Sequence, residues 1–209
     1  MVGVQEMRER PILFSSEMVR AILDGRKTQT RRVIKFRSLP EIPVTSMYEH
    51  GGFEGEPFTQ SWSADHAGEK SIVVEQGIKC PYGQPGDRLW VREAFHSWHE
   101  DGNHAIYRAD GEDQRVGKRH ESYGVGRWSP SIHMPRWASR ITLEVTGVRV
   151  ERVQKISAKD LVAEGAITKD PFNVTNRPHF QRLWDWINTK RGFGWEKNPW
   201  VWVVEFKRI

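Results

Sequence analysis

One lysine, two threonines, a glutamine and three arginines occupy residues 26–32 of this chain. Gly25 stands immediately before them, and glycine is the usual residue just past a helix end because it takes the left-handed conformation without a side-chain penalty. Extended chain after that turn sends side chains alternately to opposite faces. Lys27, Gln29 and Arg31 then face one way, and Arg26, Thr28, Thr30 and Arg32 the other. Cations interleaved with hydroxyls suit a polyanion, or a polar heterocycle that carries phosphates.

The chain holds 10 tryptophans, several of them beside arginine: Trp90 with Arg92, Trp128 with Arg127, Trp137 with Arg136. Aromatic faces and guanidinium planes stack exposed bases. The same residues also pack cores, because tryptophan buries a large apolar area. Asp87, after Pro85 and Gly86, reads as a turn former or a site residue; Glu93 has the charge to pair with an arginine. Other chemistries find less support. Cys80, His96, His99 and His104 contain one His-x-x-His pair, but a lone cysteine and loop histidines make a poor zinc set. Gly124 and Gly126 are followed by no Gly-Lys-Ser/Thr, and no nucleophile-elbow pattern is present. No cofactor or metal is therefore expected.

At 209 residues the chain is expected to form one domain, residues 1–209, long enough to bury a core without staples. A single cysteine excludes an intrachain disulfide and fits a reducing cytoplasm. The charged N-terminus gives no export signal, and no apolar run approaches the roughly 18–20 residues that span a bilayer. No membrane partner is expected. A net charge of +5 mildly favours an acidic partner.

The elements that must position these residues follow from periodicity. Ser15 or Ser16 caps a helix to about Asp24, with Met18, Val19, Ile22 and Leu23 as its apolar stripe. Extended chain follows to Ile34. Residues 36–70 show no clear period and read as a long insertion or loop; residues 110–130 read as a second. Short strands are expected over residues 71–75 and 104–109. A turn at 81–86 leads into a strand over 87–95, where Leu89, Val91 and Glu93 alternate with Trp90 and Arg92. Ile141, Leu143 and Val145 mark a strand over 140–153, with Gly147 placed for a bulge. Ser157 and Asp160 form a capping box for a helix ending near Gly165. Phe180, Leu183, Trp184 and Ile187 give residues 178–190 an amphipathic helix, and residues 200–206 a closing strand. Most strands lack a helical crossover, so the expected class is α+β: a small mixed or antiparallel β-barrel with flanking helices and two insertions.

ILDGRKTQTRR at 22–32, PGDRLWV at 85–91, ITLEVT at 141–146 and VEF at 204–206 together resemble an ASCH domain. ASCH domains are small β-barrels of the PUA-like superfamily, associated with RNA and modified nucleosides. MPRWASR at 134–140 and AEG at 163–165 extend the likeness to larger ASCH proteins commonly encoded by bacteriophages and prophages. The resemblance covers about half of the chain and leaves 36–70 and 110–130 aside. One branch, the bacterial N(4)-acetylcytidine amidohydrolases, has a proposed catalytic Lys, Thr and Glu. By resemblance these fall at Lys27, Thr30 and Glu164, with Lys27 as base toward Thr30, Thr30 as nucleophile on an acyl carbonyl, and Glu164 assisting proton transfer. A threonine needs such a base, and a lysine serves only where burial or nearby cations depress its pKa. Regular strand alternation would place Lys27 and Thr30 on opposite faces, so the pair can converge only at an irregular turn after Gly25.

Arg26, Thr28, Arg32, Trp90, Arg92, Arg136 and Trp137 complete the expected substrate-binding set. Three functions stay open on the residues. One is a hydrolase of N-acylated cytidine-type nucleosides, and another a non-catalytic RNA- or DNA-binding module or metal-independent ribonuclease. The third is a phage factor that targets a host protein or sequesters a signalling nucleotide, with the insertions at 36–70 and 110–130 as its partner surface. Whether the chain is an enzyme is left open by its residues, as are oligomeric state and substrate.

Overall fold

The computed structural model describes residues 6–35, 46–50, 58–64, 72–98, 104–111, 128–165 and 177–209. Strand β1 (Glu9–Leu13) leads into helix α1 (Ser16–Leu23), whose cap is Ser15: its hydroxyl accepts the Met18 amide, and Val19, Ala21 and Ile22 are buried. Gly25 takes a φ of 71°, the left-handed turn that releases the chain into β2 (Gln29–Val33). Strands β3 (Ser46–His50), β4 (Phe58–Ala64) and β5 (Ile72–Ile78) come next. After the turn at 81–86 follow β6 (Arg88–Arg92), β7 (Phe95–Trp98) and β8 (His104–Tyr107). The chain closes with β9 (Thr142–Arg152), α2 (Ala158–Ala163), α3 (Arg177–Asn188) and β10 (Trp200–Arg208).

The main sheet has the order β1-β6-β9-β10-β2. Only β1 and β6 run parallel; the other neighbours are antiparallel. The sheet does not close, so the barrel expected from the sequence is an open sheet with β1 and β2 as its edges. Five flat strands would hold those edges roughly 19 Å apart. Yet the Arg32 guanidinium of β2 donates 2.6 Å to the Leu13 carbonyl of β1, so the sheet is strongly coiled and α1 bridges its mouth. β10 is buried on both faces. Trp202, Val204 and Phe206 join Ile12, Val19, Leu89 and Leu143 inside the coil, while Val201 and Val203 pack outward on Phe180, Trp184 and Leu161 of the later helices. At about 1.5–3 kcal/mol per buried aliphatic side chain, this double burial fixes β10 as the spine of the fold.

Local signals explain the rest. Opposite Glu205 and Phe206 the β9 register skips Thr146, placing the expected bulge at Gly147. Asp87 is buried and holds its turn, accepting the Arg8 amide at 2.9 Å and the Gln84 amide at 3.2 Å. The Ser157–Asp160 capping box is formed, and α3 ends through a 3-10 turn at left-handed Gly192. The stretch expected as an insertion or loop has regular structure of its own. The 36–70 stretch contributes β3 and β4, which pair antiparallel with β5 in a separate three-stranded sheet. Strand formation there rests on cross-strand pairing, which leaves little period in a single segment. Residues 112–127, most of the second expected insertion, lie outside the described residues. Among the described residues no helix is long and apolar enough to cross a membrane.

Candidate functional site

Three segments converge on Glu164. α2 ends there, so its last carbonyls need partners outside the helix. Ala163 receives the Thr28 amide at 2.8 Å, and the Thr28 carbonyl accepts the Phe206 amide at 2.9 Å. Residues 26–28 are thereby stitched between α2 and β10, and Lys27 sits opposite Glu164 as an isolated antiparallel bridge. The Lys27 side chain points inward and is only 2% exposed. Its ammonium donates 2.8 Å to Glu164 Oε2 and 2.8 Å to the Glu164 main-chain carbonyl.

Arg31, two alternations on from Lys27, joins the same carboxylate. Its Nη1 lies 3.1 Å from Glu164 Oε1, its Nε 2.9 Å from Glu151 Oε1, and its Nη2 3.2 Å from Asp160 Oδ2. Arg149 extends the network to Asp160, at 2.9 Å, and to Glu205. The electrostatics follow the burial. Desolvation pulls the Lys27 ammonium below its usual value, Glu164 opposes the shift, and Arg32 and Arg31 reinforce it. For Asp160 burial alone would raise the carboxyl. The Ser157 hydroxyl and amide, with the Arg31 charge, outweigh it and bring the group to about 2.

Beside this network lies a cleft of about 660 Å³ between β2, the α1 entrance, residues 79–82 and the face of α3. Thr30, Arg31, Arg32 and Glu164 line one side of it, and Phe14, Tyr82, Trp184 and Trp202 supply aromatic walls. Lys35, Lys79 and Arg191 line it too, all three exposed and without an ion-pair partner among the described residues. Arg32 is the unusual member. Its guanidinium carbon lies 5.2 Å from the centre of the Phe14 ring and 6.0 Å from that of Tyr82. Its Nε is buried with no hydrogen-bond partner, and no carboxylate of the described residues lies within ion-pair distance of it. A half-buried cation left so is costly unless something else supplies the anion.

The sequence-predicted residues divide in two. Thr30, Arg32 and Glu164 line the cleft, and Lys27 stands behind it on Glu164. Among the described residues Lys27 makes no hydrogen bond to Thr30; the two reach the cleft by different routes, Thr30 directly and Lys27 through the carboxylate. Arg26 instead pairs with exposed Asp24 at 2.7 Å, and Thr28 is spent on backbone pairing. Trp90, Arg92, Arg136 and Trp137 line no part of this cleft. Trp90 lies on β6, with the Arg92 guanidinium 5.0 Å and that of Arg136 5.9 Å from its ring, while Arg136 is paired with Glu9. Trp137 is exposed on a short 3-10 turn. Phe14, Tyr82, Trp184 and Arg191 were missed as site residues. Each has an ordinary local role, at a helix entrance, in a turn, on an apolar stripe or at a helix end, and only tertiary packing gathers them.

Among the described residues no three His, Cys, Asp or Glu side chains come together as a metal set; His99 lies outside those residues. No protein-family model, no characterised protein and no solved structure matches this chain.

Proposed function

We propose that this protein is an ASCH-type binder of nucleotides or nucleic acid, with the coiled five-stranded sheet as its PUA-like core and the cleft beside β2 as its site. One observation carries the reading: a half-buried Arg32 guanidinium, with no carboxylate partner among the described residues, lines a cleft that also has aromatic walls and three exposed cations without an ion-pair partner among those residues. A phosphate supplies the anion that Arg32 lacks, in the bidentate geometry a guanidinium prefers. A base fits between aromatic faces at a gain of about 1–3 kcal/mol.

Hydrolysis of an N-acylated cytosine is the chemistry this arrangement allows. The Thr30 hydroxyl attacks the acyl carbon, and its proton passes to the Lys27–Glu164 pair. The C–N bond then breaks as the cytosine amine takes a proton back, and water releases the acid from Thr30. Desolvation of Lys27 and the shared cleft of Thr30 and Glu164 support this route. A purely binding role is favoured by a different observation. Both oxygens of Glu164 already accept from cations, so the carboxylate is occupied in holding Lys27 and Arg31.

Calorimetry with cytidine and cytidine monophosphate, beside an assay of acid release from N-acetylcytidine, separates these. Tighter binding of the monophosphate by tenfold or more supports the site, on the order expected for a charge-assisted contact. Equal affinity sinks it. Acid release that disappears in Thr30→Ala but survives in Thr30→Ser assigns the hydrolase, and no release with nucleotide bound leaves a binding module.

A further inference from the structure

Trp186 is 79% exposed, the most open large apolar side chain among the described residues. It stands on α3 with exposed Arg182 one turn before it, and exposed Lys190 follows in the 3-10 turn Thr189–Arg191 that ends the helix, neither in an ion pair with a described residue. Arg182 and Trp186, four apart, share a helix face, and Lys190 continues past the helix end, so cation, indole and cation follow one another in a stripe along the end of α3. Leu183 and Ile187, which line the cleft, lie between this stripe and the buried Phe180–Trp184 face, so the stripe begins at the rim of the cleft. The nearest carboxylate on the helix, Asp185, is turned away: it accepts the Trp195 amide at 2.6 Å and the Thr189 hydroxyl at 3.3 Å.

We propose that α3 carries a second contact, outside the cleft, for a single-stranded nucleic acid: Trp186 stacks a base, and Arg182 and Lys190 hold the flanking phosphates. This rests on the reading of the cleft as a nucleotide site and makes its ligand a strand instead of a free nucleoside. Exposed indole between like charges is the pattern of a stacking platform on an electrostatic track. A second copy of the chain is disfavoured as the occupant, since pairing this stripe with itself would bring cation onto cation.

Calorimetry uses cytidine monophosphate and single-stranded cytidine oligomers, RNA and DNA, of up to about eight nucleotides. The wild-type protein binds the longer oligomers at least about tenfold more tightly than the monophosphate, one extra stacked base and its phosphates being enough. Trp186→Ala removes most of that gain and leaves monophosphate affinity unchanged; Trp186→Phe restores most of it. The Arg182→Ala/Lys190→Ala protein shows a shallower salt dependence. An oligomer bound no better than the monophosphate, or one indifferent to Trp186→Ala in a protein of unchanged melting temperature, overturns the inference alone. Failure to bind either overturns the cleft reading, and this contact with it.

Discussion

Lys27 and Glu164, 137 positions apart in the chain, meet through two hydrogen bonds of 2.8 Å from one ammonium, to the carboxylate and to the main-chain carbonyl of the same residue. The second bond satisfies a carbonyl that the end of α2 leaves open. The first neutralises a carboxylate that a neighbouring arginine also holds. One contact therefore ties the chain after α1 to the helix before α3 and fixes a wall of the cleft.

The two halves of the pair are unequal. In Glu164→Gln, Arg31 keeps Glu151 and Asp160, but the buried Lys27 ammonium loses the one carboxylate it pairs with among the described residues, a loss of about 3–5 kcal/mol. In Lys27→Met the stem volume is kept and Glu164 retains Arg31, so the cost is about 1–3 kcal/mol. Urea denaturation of both variants checks the order. A costlier Lys27→Met would mean that Arg31 does not compensate.

Gly165 makes the approach possible. Its φ is +72°, and a Cβ there would stand 3.1 Å from the Cβ atoms of both Ala21 and Lys27. Alanine at this position meets the left-handed strain and a crowded neighbour together. Gly165→Ala is expected to cost about 2 kcal/mol, more than alanine at Gly25, where the backbone is also left-handed but nothing lies within 4 Å. Matched thermal melts of the two variants test the difference.

Asp160 sets the acid limit of the network. Its carboxyl sits at about 2 in the fold against an ordinary 3.8. The depressed value means stability that is complete above the unfolded value and lost as the pH falls from 3.8 toward 2. Allowing for solvent screening, the loss is on the order of 1 kcal/mol. Lys27 acts at the other end. Its folded value lies below 10.5, so its contribution is complete above that pH and declines as the pH falls through the folded value. Asp160→Asn should flatten the acid fall and leave the alkaline rise; a fall that persists unchanged assigns it to other carboxylates.

The sequence made some of this legible and hid the rest for identifiable reasons. Caps, turns and alternation are local, so Ser15, Gly25, Asp87, the Ser157–Asp160 box and the burial of Leu89, Leu143 and Val145 follow from short windows. Barrel closure is not local: it depends on the coil of a sheet whose edge strands, β1 and β2, are neighbours in sequence but opposite in strand order. β3 and β4 owe their extension to partners across the sheet. For the site, alternation put Lys27, Gln29 and Arg31 on one face, and all three are buried there. The acids that receive the cations, Glu151, Asp160 and Glu164, lie on two other elements, and no spacing rule connects them. Trp90 and Arg92, expected to receive a base, lie against each other away from the cleft, where the Arg136 guanidinium also covers the Trp90 ring.

Arg32 gives the sharpest separation of stability from function. In the fold its guanidinium has one carbonyl partner, two aromatic neighbours and no carboxylate among the described residues. Burial without an anion pulls the group below its ordinary pKa, with Tyr82 and Glu164 only partly opposing the shift. Replacing such a cation by an apolar side chain of similar length removes an uncompensated charge while losing the Leu13 bond and the ring contacts. These effects offset, so Arg32→Met should change unfolding stability by no more than about 1 kcal/mol. Anion binding has no such compensation. The same variant should lose tenfold or more in affinity for cytidine monophosphate, the worth of about one charge-assisted hydrogen bond or more. Arg32→Lys keeps the charge but not the fork, and should recover only part of the loss. A destabilised Arg32→Met with undiminished affinity would make the guanidinium a brace between β1 and β2, and the anion would then have to be held by Lys35, Lys79 and Arg191 alone.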